Sequence, residues 1–351
     1  MNIQEATAKY ETWIGKQLKL IDRELKQKHD AMRAELFPFF RATYYRWAQL
    51  WPQICQEQTS APVVLAVGDL HVENYGTWRD SEGRLVWGIN DFDEVWPIPY
   101  AGDLVRLAAS AEITGIALKL AVAPILDGYR DALAMGGRPL VLAEDNLDLR
   151  KMAVERLKDP GRFWAKLDAL PTCKGKVPKV ARAGITGQMP ERGLDYRVVH
   201  RVAGLGSLGR QRFVALAHSK GGLIAREAKA LAASACAWAQ NRNGIPGPLY
   251  QKMLDRVVRC PDPFVRVRDK WIVRRLAPDC SRIELTDLPR VRDEERLLYC
   301  MGWETANVHL GTGKSKEILA DLKKRKPKWL GQSAAAMVQA IKTDWKDWRK
   351  G

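Results

Sequence analysis

The chain has no uninterrupted apolar run approaching the roughly 20 residues that span a bilayer, so a helical membrane protein is not expected. Its first residues, MNIQEATAKYETWIGKQ, lack the apolar core of a signal peptide, and the cytosol is the expected compartment. Cysteine is sparse and scattered. The six residues Cys55, Cys173, Cys236, Cys260, Cys280 and Cys300 form no CxxC pair. A zinc site of the usual spacing is therefore not expected, and most of these thiols read as small buried apolar side chains. Histidine is equally scarce, at five residues.

What is present describes a folded globular chain. Of its 351 residues, 46% are apolar and thirteen are Trp, enough for a large core, and the length suggests about two domains or lobes. The net charge of +16 favours acidic partners: nucleotides, phosphorylated metabolites, nucleic acid or an anionic surface. No nucleic-acid-binding motif accompanies that charge, so nucleic acid rests on charge alone.

The informative stretch runs from Val63 to Asp103. Val63 to Val67 reads as a buried strand that stops at Gly68, followed by Asp69, His71, Glu73 and Asn74. A second apolar run, Leu85 to Ile89, ends in Asn90-Asp91-Phe92-Asp93-Glu94, and Asp80-Ser81-Glu82-Gly83 between them is a turn signal. The expectation is a hairpin-like unit that brings two acidic strand ends together. Phosphoryl transfer uses such a set: one carboxylate orients the attacking hydroxyl, and an Asn and a second Asp hold magnesium against the phosphates. Oxygen ligands of this kind suit magnesium.

Gly68-Asp69-Leu70-His71-Val72-Glu73-Asn74 resembles the catalytic loop of aminoglycoside phosphotransferases and other protein-kinase-like enzymes, and Asn90-Asp91-Phe92 resembles their metal-binding Asp motif. The longer pattern GDLHVENYG, NDFDE, DLVRLAAS is similar to a bacterial family catalogued only as domain of unknown function 2252, a likeness expected through most of the chain. By this resemblance Asp69 is the catalytic residue, and Asn74, Asp91 and Asp93 are metal ligands.

The flanks read as follows. Ile3 to Trp51 carries helical periodicity, broken at Phe37-Pro38-Phe39-Phe40, and the aromatic group Tyr44, Tyr45, Trp47 and Trp51 reads as core. Asp103 is read as the N-cap of an amphipathic helix. The resemblance gives it the further job of bracing the catalytic loop, and Arg106 on that helix is a candidate partner for a carboxylate. Ile116 to Leu170 reads as helices interrupted at Gly136-Gly137 and Asp159-Pro160-Gly161. Lys174 to Glu191, rich in Gly, Pro and basic residues, reads as a linker or a loop over a site.

Tyr196 to Leu231 is the second informative stretch. Gly204-Leu205-Gly206-Ser207-Leu208-Gly209 lies between two β-like runs, an arrangement that lets backbone N–H groups approach phosphates. A dinucleotide-binding fold would need a helix after the glycines, and a strand follows instead. Gly204, Gly206, Ser207 and Gly209 are the expected nucleotide-covering residues. In the resembling family the third strand carries Lys-Glu-Ala, its Lys gripping nucleotide phosphates. Here that position is Arg226, whose planar fork is not equivalent to a compact ammonium. Lys229 is expected to compensate only if the strand has turned helical by that point. Val265 to Leu276 reads as a hairpin around Asp269-Lys270. Asp293 to Leu310 reads as a helix whose end, Gly302 to His309, resembles the helix leading into the catalytic loop of aminoglycoside phosphotransferases, with His309 as a packing residue or a catalytic one. The basic run Lys323 to Lys328 reads as a solvated helix end.

In kinase-like chains the Gly-rich sheet precedes that helix, the catalytic loop and the metal Asp. Here the same cycle is cut elsewhere. The fold expected is α+β and protein-kinase-like, a circularly permuted two-lobe structure with an α-rich lobe and a small antiparallel β lobe. Residues 1–192 form the α-rich lobe with the catalytic and metal loops, 193–285 the nucleotide-binding β lobe, and 286–351 helices packing back on the first. The function expected is an ATP- and magnesium-dependent phosphotransferase acting on a hydroxyl acceptor. A nucleotide-binding scaffold without turnover and an AMP transferase stay open because of Arg226. A metallophosphoesterase is the remaining enzyme class, since Gly68-Asp69-Leu70-His71 also resembles its first motif. None of His29, His71, His200, His218 and His309 sits in the further His motifs that class requires.

Overall fold

A computed structural model describes all residues other than 144, 156, 158, 243–246 and 281–290. It is an α+β structure with fourteen helices and antiparallel sheets among the described residues. Four helices open the chain: α1 (Ile3–Gly15), α2 (Asp22–Ala34), α3 (Leu36–Ala42) and α4 (Tyr44–Ile54). The break expected at Phe37-Pro38-Phe39-Phe40 falls just before it, at the extended Glu35 between α2 and α3. Pro38 lies in the first turn of α3, where a missing N–H costs no intrahelical bond. The aromatic group is core: Phe39, Phe40, Tyr44, Tyr45, Trp47 and Trp51 are buried, and Tyr45 stacks on Tyr10 at 4.4 Å between ring centroids.

The expected hairpin is built differently. β1 (Val63–Ala66) pairs with β4 (Trp96–Pro99), while β2 (Tyr75–Arg79) and β3 (Leu85–Ile89) make the hairpin over Asp80 to Gly83, with β5 (Leu140–Val141) on its edge. The turn is set by Asp80, whose Oδ1 accepts from the Glu82 and Arg84 N–H groups. The two acidic ends still meet, because β1 and β3 both deliver the chain to the same side of α5 (Ala101–Ile113). That helix starts two residues before Asp103, so Asp103 is not its N-cap. It is buried in the first turn and points at the chain turn at Gly68.

Next come α6 (Leu118–Met135), α7 (Leu147–Val154) and α8 (Pro160–Asp168). Gly136 closes α6 at φ +80, and Asp159 caps α8 through the Arg162 N–H, so both predicted breaks are helix boundaries. The segment read as a linker holds α9 (Lys179–Thr186), whose Ala181 and Ile185 pack onto a sheet. Its alanines and isoleucine outweigh the flanking Gly and Pro because they have an apolar face to bury against.

That sheet has five antiparallel strands in the order β6 (Arg197–His200), β7 (Arg212–Ser219), β8 (Gly222–Ala230), β10 (Trp271–Leu276), β9 (Arg266–Arg268). Side chains alternate faces along each strand. Phe213, Ala215, Ala228, Trp271 and Val273 meet α9, while Val199, Val214, Leu216, Ala225 and Leu276 meet Leu167 of α8. Two short helices, α10 (Ala235–Ala239) and α11 (Tyr250–Leu254), follow β8.

The chain ends in α12 (Val291–Leu310), α13 (Ser315–Lys324) and α14 (Trp329–Lys350). α12 lies backbone to backbone on α6. A β-carbon on Gly128 would fall 2.0 Å from the Tyr299 carbonyl oxygen, and one on Gly302 would fall 2.1 Å from that of Ile125. α14 packs on α5 and α4. No helix among the described residues is long and apolar enough to cross a membrane.

Candidate active site

Gly68 turns the chain out of β1 at φ +82, in a space where a β-carbon would meet the Glu94 carbonyl oxygen at 2.4 Å, so only glycine fits. Asp103 holds this turn. Its Oδ2 accepts the Val67 N–H at 2.7 Å and its Oδ1 the Gly68 N–H at 2.9 Å. His309, fully buried, sits between Asp103 (Nε2 to Oδ2, 3.1 Å) and the Tyr129 hydroxyl (2.8 Å). It positions the brace and lies within the core, away from any open surface.

The loop then presents Asp69. Arg106 of α5, fully buried against the Phe40 ring (4.0 Å to its centroid), donates from Nε to Asp69 Oδ1 at 3.0 Å and from Nη2 to the Phe40 carbonyl. Burial raises the Asp69 pKa, opposed by Arg106. Asn74 joins the two acidic ends: its Nδ2 donates to the carbonyls of Asp69 and Asp91, each at 3.2 Å.

Asp91 and Asp93 converge on one ammonium, that of Lys229. Its Nζ lies 3.2 Å from both Asp91 carboxylate oxygens and 2.7 and 2.8 Å from those of Asp93. Burial and then the Asp91 charge raise the Asp93 pKa, with Lys229 and Arg210 opposing. Beside them burial pushes Glu94 up to about 7, although Arg210 and the Ala235 N–H hold its charged form.

Over this floor lies the Gly-rich loop between β6 and β7. Gly206 approaches Asp69 closely: a β-carbon there would be 3.7 Å from Oδ2. Gly204, Gly206 and Ser207 line the same small chamber as Asp69, Asn74, Asp91 and Asp93. Gly209 points elsewhere. Its N–H donates to Glu24 and its carbonyl accepts from Ile21, which fastens the loop to α2. The amides of Ser207, Leu208 and Arg210 are likewise used within the loop.

Arg226 is not brought to this site. It occupies the α9 face of β8, donating to the Gln188 carbonyl at 3.0 Å and stacking on Phe264. Lys229 stands in the same strand, still extended, on the opposite face, and helix formation is not needed for it to reach the acids. Two residues before it on that face is Glu227, fully buried. It accepts from Arg201 (2.7 Å), Arg212 (3.1 Å) and Arg274 (2.9 Å). Burial pushes Glu227 up, but Arg212, Arg274 and Arg201 hold it well below the usual carboxylate range. These arginines, with Arg259 and Arg275, wall a cleft of ≈ 320 Å³ that shares Asp91 and Gly204 with the chamber. Strand parity was the signal for Lys229 and Glu227 in the sequence. Arg212 and Arg274 come from β7 and β10 and Arg201 lies just past β6, and no local pattern joins them.

Among the described residues no group of three or more His, Cys, Asp and Glu is arranged to hold a metal. Asn74, Asp91 and Asp93 offer two carboxylates and one amide oxygen. Residues 20–134 match the model of a family described as an uncharacterized protein conserved in bacteria (DUF2252). No curated protein and no solved structure matches the chain.

Proposed function

We propose that the protein is an ATP- and magnesium-dependent phosphotransferase acting on a hydroxyl acceptor, with a kinase-like cleft assembled in circularly permuted order. The observation that carries the reading is Lys229, which crosses from the Gly-rich sheet to Asp91 and Asp93, beside a loop that holds Asp69 and Asn74. The permutation draws support from α12. Its end brings His309 to Asp103, and Thr312 just beyond it accepts the Leu65 N–H at 3.0 Å, so the helix that should lead into the catalytic loop lies against the strand that does. The division proposed is an α-rich lobe over 1–192, a nucleotide-binding β lobe over 193–285, and helices over 286–351 that return to the first lobe.

The donor set suits magnesium. Two carboxylates already share one cation, and burial and then their mutual repulsion raise Asp93, so the pair favours added positive charge. The Asn74 Nδ2 is engaged by backbone carbonyls, which leaves Oδ1 as its group for a cation. Magnesium, when bound by Asn74, Asp91 and Asp93, neutralises phosphate charge. The chain's own residues do the rest. Arg201, Arg212 and Arg274 face the nucleotide's phosphates in the larger cleft, and the Gly204–Gly209 loop excludes water above them. Arg106 fixes Asp69 through Oδ1, leaving Oδ2 to accept the hydroxyl proton and orient the attack. Positioning and charge neutralisation supply most of the rate.

Purified protein with magnesium and ATP labelled separately at the γ- and α-phosphates, an acceptor panel and an Asp91→Ala control tests this. Transfer or release of γ label that vanishes in the control is the expected result. Covalent α label would mean AMP transfer, and magnesium-dependent binding without turnover a nucleotide-binding scaffold. The absence of nucleotide binding would overturn the reading.

A further inference from the structure

The chamber beside Asp69 has a feature that the phosphotransfer reading does not use. Lys28 of α2 is only 5% exposed, and its ammonium makes no hydrogen bond or ion pair among the described residues. Its nearest aromatic neighbour is Tyr45, at 5.9 Å from ammonium to ring centroid. An ammonium so enclosed, with no carboxylate in direct contact, is costly. Two more cations open onto the same space. Arg210 is held by Asp93 and Glu94 only at 3.3 and 3.4 Å, longer than ordinary charge-assisted bonds. Arg41 pairs with Glu73 through Nη1, while its buried Nε has no hydrogen-bond partner. Each carboxylate in the wall already has a cationic neighbour: Asp69 has Arg106, Asp91 and Asp93 share Lys229, and Glu94 has Arg210 and the Ala235 N–H. Ser207 and Asn74 add neutral polar groups.

The chamber is small, ≈ 50 Å³, which is room for about three to five waters in the same measure. A sugar or a base does not fit, whereas a single tetrahedral oxyanion does. The shared wall at Asp91 and Gly204 joins the chamber to the ≈ 320 Å³ cleft, so a larger ligand lying there can insert one such group.

We infer that Lys28, Arg41 and Arg210 form a binding subsite for one phosphate-type oxyanion, placed at the oxygen of Asp69 where transfer would occur. The oxyanion is either the nucleotide's terminal phosphoryl group or a phosphate on the acceptor. Only that choice of source rests on the phosphotransfer reading, since the anion site stands on the chamber itself. Burial lowers the Lys28 pKa to about 8, opposed chiefly by the charge of Glu11.

Calorimetric titration of the full chain with inorganic phosphate, in a buffer free of other oxyanions, tests the inference. Saturable binding of one phosphate per chain is expected. Lys28→Met should weaken it roughly tenfold or more and Lys28→Arg much less, as follows from loss or retention of one charge-assisted contact. Arg41→Gln serves as a second variant should Lys28→Met not fold. Absence of phosphate binding, or equal binding by wild type and both variants, overturns the proposal. With magnesium and a non-hydrolysable ATP analogue present, displacement of phosphate assigns the subsite to the nucleotide, and simultaneous binding assigns it to the acceptor. Failure of the phosphotransfer reading would look different: phosphate bound, but no γ label ever moved.

Discussion

Glu227 and Lys229 stand two residues apart on one face of one strand, and they organise opposite electrostatic settings. Around Glu227 a single carboxylate is shared by three arginines, which hold it firmly ionised. Around Lys229 a single ammonium is shared by two carboxylates, and the Asp93 pKa is driven up. Three arginines face one carboxylate in the first half, whereas in the second Asp91 and Asp93 meet at Lys229, with Arg210 at 3.3 Å from Asp93. The lesson is that buried ionic clusters are read by their imbalance. The arginine-rich half favours an anion and the acid-rich half a cation, which is the pairing that a magnesium–nucleotide complex presents.

The largest effect should come from the acid-rich half. Asp91→Ala removes a carboxylate that the account assigns to the metal, and turnover of γ-labelled ATP should fall about a thousandfold. Glu227→Gln probes the other half. It leaves three arginines without their shared anion, and urea unfolding should show a loss of about 3–5 kcal/mol. Added sulfate should return part of that stability in Glu227→Gln and little in Asp91→Ala. An equal response in both would break the contrast.

A third buried carboxylate sharpens it. Among the described residues Glu304 receives the Ile89 N–H and the Asn307 amide, and burial pushes its pKa up to about 7 from an ordinary 4.5. Between those values the folded chain keeps a proton that the unfolded chain releases. Stability contributed by neutral Glu304 is therefore complete below about pH 4.5, falls as pH rises through this window, and is gone above about 7. The difference amounts to about 3 kcal/mol. Urea midpoints across this range should fall in wild type and fall less in Glu304→Gln. The smallest effect on turnover is expected at Arg226, buried against Gln188 and Phe264 on the far face of β8: Arg226→Lys should leave γ-label turnover within about twofold.

This last contrast marks where the sequence was legible and where it was not. Asp69, Asn74, Asp91 and Asp93 lie in one contiguous stretch, and the structure brings them together, because local spacing governs loops at strand ends. The β2–β3 hairpin was misread as β1–β3, since the turn at Asp80 is visible in the sequence while the partner of β1, thirty residues on, is not. Asp103 holds the Gly68 turn as the resemblance implies but sits inside α5 instead of capping it, because helix starts blur by a residue or two. The family resemblance points to Arg226, whereas period-two alternation along β8 puts Lys229 on the cleft side. The arginines around Glu227 and the lone Lys28 come from separate elements, so only tertiary packing reveals them.

The most direct test of the central claim is calorimetric titration of ATP with magnesium into wild type, Lys229→Met and Arg226→Met. Wild type and Arg226→Met should bind alike and lose affinity when magnesium is withdrawn. Lys229→Met should bind at least about tenfold more weakly, the equivalent of one charge-assisted contact. Undiminished binding by Lys229→Met, or its loss in Arg226→Met, would contradict the account.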